Sequence, residues 1–120
     1  MDDALKPVRL VGTSLRDSRS FPRVVRSDIE QALFAAQEGE IDPAAKPLKG
    51  FGGASVLEIV GSHQGNAWRA VCTVRFPGAV YVLHVLQKKS TKGIAAPTRE
   101  IDLIRKRLAE AERDFRERQN

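Results

Sequence analysis

The stretch from Ser55 to Gln87 limits the fold more than any other part of the chain, because it alternates residue by residue and breaks twice at turn signals. Trp68, Ala70, Cys72, Val74 and Phe76 alternate with Arg69, Val71, Thr73 and Arg75. Successive side chains of a strand point to opposite sides, so the first set faces a core and both arginines leave it on the other side. Upstream, Ser55–Val60 puts Leu57 and Ile59 on one side and Glu58 on the other. Downstream, residues 79–87 read Ala-Val-Tyr-Val-Leu-His-Val-Leu-Gln, apolar on both sides. A strand covered on both faces has that pattern. The Ser62–Asn66 stretch, with its Gly65-Asn66 pair, and Pro77-Gly78 carry turn chemistry. Three strands joined by two short turns make an antiparallel meander.

Helical spacing flanks this meander on both sides. Val8-Arg9-Leu10-Val11 reads as an opening strand ended by Gly12, and Ser14-Leu15-Arg16-Asp17 as a short helix with Ser14 as its capping residue. Pro22 suits a first helical position. Val25, Ile29, Ala32, Leu33 and Ala36 then share one helix face, with Gly39 as a stop. Residues 40–54 hold Asp42-Pro43, Lys46-Pro47 and Gly50-Phe51-Gly52-Gly53 and read as a loop. After Ala96-Pro97-Thr98, Ile101, Ile104, Leu108, Ala111 and Phe115 form one apolar stripe on a final helix whose other faces are charged with mixed sign. The expected fold is α+β in the order β-α-α-β-β-β-α, with two helices packed on a small, mainly antiparallel sheet. At 120 residues, the whole chain is expected to be one domain.

The charge balance is uneven along the chain. Residues 46–93 carry Lys46, Lys49, Arg69, Arg75, Lys88, Lys89 and Lys92 against the single acid Glu58, a balance of +6, while the flanking segments are near neutral. Solvated surfaces mix their signs; a one-sign segment set on strands and loops points to an anionic partner. The start Met-Asp-Asp-Ala-Leu lacks the basic and apolar runs of a secretory signal, and no apolar stretch approaches the roughly 20 residues that span a bilayer. With one cysteine, Cys72, there is no internal disulfide and no multi-thiolate metal site. A cytoplasmic location, no cofactor, no metal and no membrane partner are expected.

Hairpin geometry sets the start of the Trp68–Phe76 strand level with the end of the next one, so Arg69 lies near Lys88 and Lys89. Neighbouring strands bring side chains on a shared face to within about 5 Å. A single arginine on a strand is an ordinary surface residue; the combination is what suits phosphodiester chemistry. Arginine offers a planar fork to phosphate and lysine a mobile point charge. RNA brings its own nucleophile, the 2′-hydroxyl, so positioned cations stabilise the phosphoryl oxygens without a metal. A lysine crowded by cations has a lowered pKa and can exchange protons. Arg69, Lys88, Lys89 and Glu58 are the candidates for chemistry, and Lys46, Lys49, Arg75 and Lys92 for holding RNA. His84 reads as a hydrogen-bonded core or rim residue, His63 as a turn residue and Cys72 as a small core hydrophobe. Gly50-Phe51-Gly52-Gly53 precedes a strand, unlike a nucleotide phosphate loop, and Phe51 is the one aromatic placed to stack on a base.

Taken together, Ala45-Lys46-Pro47-Leu48-Lys49-Gly50-Phe51-Gly52, Val56-Leu57-Glu58-Ile59, Trp68-Arg69-Ala70-Val71-Cys72-Thr73-Val74 and Val80-Tyr81-Val82-Leu83-His84-Val85-Leu86-Gln87-Lys88-Lys89-Ser90 resemble the phage-derived, HigB-like branch of the RelE/ParE toxin superfamily. The resemblance runs from about Val8 to Glu112. It implies helices packed on a small antiparallel sheet, followed by a final helix. It also implies a ribosome-dependent endoribonuclease that cleaves mRNA and is inhibited by an antitoxin, often of helix-turn-helix type. Carried over by motif, Lys49 contacts RNA phosphate, Arg69 stabilises the scissile phosphate, and Lys88 and Lys89 line the same site. Glu58 is either a proton acceptor or the ion-pair partner of Arg69. The chain departs from the pattern at Trp68 and Cys72, where members often have tyrosine, and no tyrosine follows Lys89. Two other functions compete on the same fold: a gyrase poison, which needs no cationic phosphate site, and a non-catalytic nucleic-acid-binding module.

Overall fold

In the computed structural model, which describes residues 5–88 and 98–119, the elements run β1 (Val8–Leu10), α1 (Ser14–Ser18), α2 (Arg23–Gln37), β2 (Ala45–Pro47), β3 (Val56–His63), β4 (Asn66–Thr73), β5 (Val80–Lys88) and α3 (Thr98–Gln119). The strands form one sheet in the order β1-β5-β4-β3-β2. It is mixed: β1 runs parallel to β5, and the other pairs are antiparallel. The meander lies where the alternation puts it. The β3–β4 turn is made by Gln64 and Gly65, both with positive φ (51° and 81°). Positive φ at both central residues gives the twist that a two-residue hairpin turn needs.

Helices cover both faces. On one, Val25, Ile29, Ala32 and Ala36 of α2 pack against Leu57, Ile59, Trp68, Ala70, Cys72, Val82 and Val85. There α2 passes so close to β3 that a Cβ on Gly61 would meet Val25 Cγ1 at 3.0 Å. On the other, Ile104, Leu108 and Ala111 of α3 pack on Val56, Val71, Tyr81 and Leu83, joined by Phe51 and Phe76. Full burial of the valine, leucine, isoleucine and phenylalanine side chains among these stabilises the fold by roughly 1.5–3 kcal/mol each.

Four features differ from the sequence reading. Residues 45–47 are a strand, not loop: Lys46 pairs with Glu58, and Leu48 N–H donates to the Val56 carbonyl. This is an edge strand, where Pro47 can sit because an outward position needs no N–H partner. Helix α2 begins at Arg23, with Pro22 extended (ψ 148°) just before it. Ser14 does not cap α1; it is fully buried, Thr13 stands at the cap, and the Thr13 hydroxyl donates to Asp17. Finally, the β4–β5 register slips after Val71, which pairs with His84 while Cys72 pairs with Val82. This bulge leaves Leu83 and His84 together opposite Val71, so His84 turns to the α3 side instead of joining Val82 and Val85 under α2.

Candidate functional site

Alternation along β4 sends Arg69 to the α3 side, and the β3 register brings Glu58 beside it. Arg69 Nη1 lies 2.6 Å from Glu58 Oε2, with the side chains 14% and 19% exposed. Charges this far out of water need each other, and their pairing fixes the guanidinium plane. That contact matches the ion-pair alternative for Glu58. Arg69 Nε is buried without a hydrogen-bond partner among the described residues, an unmet donor in the site. Lys46 sits directly across from Glu58 on β2 and is exposed. Val60, opposite Arg69, is 38% exposed, so this part of the face is open on its β2 side.

The other candidate residues divide into two groups. Lys88 pairs with Ala67, two residues along β4 from Arg69, so its backbone is close to the site. Lys89 and Lys92 lie outside the described residues. Arg75 is on the same side of the sheet but past the end of β4, about 20 Å from Arg69 at the usual rise per strand residue. Its Nε donates to Ser55 Oγ at 3.3 Å. Lys49 is exposed beside Gly50. Arg75, Gly50 and Phe51 border a cavity of about 340 Å³ together with Arg105 of α3. Phe51 itself is only 8% exposed and lies beneath Arg105, so its ring is not free to stack on a base. Among the described residues the basic side chains therefore fall into two centres, one at Arg69 and one at Arg75.

A polar network that the sequence reading missed lies beside the Arg69 centre. Arg107 of α3 is buried; Nη1 donates to the Leu83 carbonyl at 3.0 Å and to His84 Nδ1 at 3.1 Å, and Nη2 donates to Thr13 Oγ1 at 3.2 Å. His84 Nε2 lies 2.5 Å from Glu100 Oε2. A guanidinium can only donate, so Nδ1 accepts and the ring proton sits on Nε2, facing Glu100. Both ring nitrogens are thus occupied, and His84 fastens α3 to the sheet bulge rather than offering a free base. Thr13 donates onward to Asp17 at 2.7 Å, and that bond holds the Asp17 carboxyl below its ordinary value. Gly12 (φ +61°) packs against the same guanidinium; a Cβ there would meet Arg107 Nε at 2.9 Å. The signal for Arg107 was helical phase, since it stands three residues after Ile104 and four before Ala111, on the buried stripe.

At the far end of α3, the Tyr81 hydroxyl donates to Asp114 at 2.7 Å and Arg118 Nε lies 2.8 Å from the same oxygen. The Tyr81 bond, then Arg118, pull the Asp114 carboxyl below its ordinary value, and burial pushes the Tyr81 phenol up. Cys72 is wholly buried and its thiol is pushed up to about 12, which leaves it no thiolate chemistry. Among the described residues no group of three or more His, Cys, Asp or Glu side chains is placed to hold a metal, and no helix is long and apolar enough to cross a membrane.

Comparison with known proteins adds one match. The profile of the phage-derived Gp49-like proteins (DUF891) matches residues 16–109, well over half of the chain and all of α2 to β5. Neither the curated proteins nor the solved structures give a match. With an α+β sheet carrying Arg69 and Glu58 inside the matched span, the chain belongs to the phage-derived Gp49-like family, a toxin-like family related to the RelE/ParE-type toxins.

Proposed function

We propose that this protein is a HigB-like toxin of a type II pair: an endoribonuclease that cleaves mRNA on the ribosome and is silenced by a protein antitoxin. The observation that carries the reading is the Arg69–Glu58 pair, a guanidinium held by a carboxylate at 2.6 Å beside an exposed strip of sheet. Lys46 stands across from Glu58, which puts a second cation beside the pair, and the Lys88 backbone lies two residues from Arg69. In the proposed reaction the ribose 2′-oxygen attacks the adjacent phosphorus as the bond to the 5′-oxygen breaks. The products are a 2′,3′-cyclic phosphate and a 5′-hydroxyl, with one proton leaving the 2′-oxygen and one arriving on the 5′-oxygen. Arg69 stabilises the charge that builds on the phosphoryl oxygens, and Glu58 keeps its plane turned to them. Lys46 and Lys49 draw the RNA backbone in. Brief induction in cells followed by mapping of transcript 5′ ends tests this. The reading expects growth arrest with new 5′ ends inside coding regions, both lost in Arg69→Ala. Arrest with intact transcripts and induction of DNA-damage genes would instead favour a gyrase poison.

A further inference from the structure

We infer that Arg105 and Arg75 form a second, non-catalytic nucleotide subsite on the α3 side of the sheet, where one RNA base stacks on Arg105 and its phosphate meets Arg75. The inference rests on the RNA reading of the Arg69 centre. Arg105 is exposed, yet it is held at two points: Cζ lies over the Phe51 ring, 4.8 Å from its centroid, and Nη2 donates to the Gly50 carbonyl at 3.0 Å. The guanidinium thus rests on a buried ring and also lines a cavity of about 340 Å³. Guanidinium planes serve as stacking platforms for unpaired RNA bases, and a plane already fixed by a ring and a carbonyl loses little freedom when a base arrives. Leu108 and Ala109 add apolar surface to a lining that is otherwise largely polar.

Arg75 supplies the matching charge. Its Nε is tied to Ser55 Oγ, which orients the exposed side chain on the cavity wall. The one acid in the lining, Glu112, is ion-paired with Arg116 a turn further along α3. The volume falls at the small end of ligand pockets, roughly 300–1,000 Å³, which suits one nucleotide. Because Arg75 lies about 20 Å from Arg69 along the strand direction, the subsite takes a nucleotide several positions from the scissile one. It therefore contributes to the grip on the RNA rather than to the bond-breaking step.

The test uses the full chain carrying Arg69→Ala, so that RNA stays intact, and a labelled single-stranded RNA oligonucleotide followed by fluorescence anisotropy at fixed salt. Adding Arg105→Ala is expected to weaken binding about tenfold, within the range found for loss of one base stack. Arg105→Lys, which keeps the charge and loses the plane, is expected to recover little of it. Arg75→Ala should lower the slope of log Kd against log salt by about 0.7, one phosphate contact on a single strand. Binding within twofold of the parent for Arg105→Ala, or full recovery with lysine, overturns the subsite while leaving the Arg69 reading intact. If the otherwise wild-type chain cleaves no RNA and the parent binds none, both readings fall together.

Discussion

The two faces of the sheet are made by the same strands and finished differently. Under α2 the contact is apolar throughout, with Leu57, Ile59, Trp68, Ala70 and Cys72 against Val25 and Ile29. Under α3 an apolar half, Val71, Tyr81 and Leu83 against Ile104 and Leu108, meets a polar half in which Arg69, His84 and Arg107 are removed from water with partners. The contrast teaches that the first face holds the fold and the second holds geometry. Burying polar groups brings little net stability over apolar packing, so their value here lies in fixing the position of Arg69, the bulge and the start of α3.

The contrast can be broken at several depths. The largest effect belongs to the apolar face: Ile59→Ala should cost about 2–5 kcal/mol in urea unfolding, with RNA affinity of the folded protein unchanged. Next, Glu58→Gln keeps the shape but loses the charge that orients Arg69. It should lower the cleavage rate by about a hundredfold, the scale of an ångström misplacement, with a much smaller change in melting temperature. Arg107→Met fills similar space but strands His84 Nδ1 and the Leu83 carbonyl, and should cost roughly 1–3 kcal/mol by the same unfolding assay.

The smallest expected effect is on pH dependence. Asp17 and Asp114 both sit below 3.8 in the folded protein, through the Thr13 and Tyr81 hydroxyls respectively. Once the pH falls below the ordinary carboxylate value the unfolded chain binds protons more readily than the folded one. The stability these acids contribute is therefore complete well above 3.8 and lost as acid approaches their folded values. Asp114→Asn removes one share, so its urea midpoint should fall less steeply than that of the wild type between about pH 5 and pH 2.

How much of this was legible in the sequence depended on which physical signal carried it. Strict alternation showed that Trp68, Ala70 and Cys72 face the core and that Arg69 and Glu58 leave it together, and the helical stripes of α2 and α3 were equally plain. The strand at 45–47 was hidden because Pro43 before it and Pro47 at its end read as loop, and only pairing with β3 makes it a strand. The bulge at Leu83 and His84 was hidden because a phase change inside an apolar run leaves no mark in the pattern. Arg107 was overlooked because a charged residue was assigned to solvent by type although its phase was buried. Arg75 shares a face with Arg69, and six residues at the usual rise per strand residue already set them about 20 Å apart; what the pattern did not carry was that Phe51 and Arg105 gather around Arg75.

The most direct test of the Arg69 centre is cleavage of a translated mRNA that carries a single 2′-deoxy nucleotide just upstream of a mapped cut, compared with the all-ribose message. The account predicts that the wild-type chain cuts the ribose message to a 2′,3′-cyclic phosphate end, spares the deoxy bond, and that Arg69→Ala loses at least a hundredfold in rate, about the cost of removing one oxyanion donor. Equal cutting of the deoxy bond, or full activity in a folded Arg69→Ala protein, would contradict it.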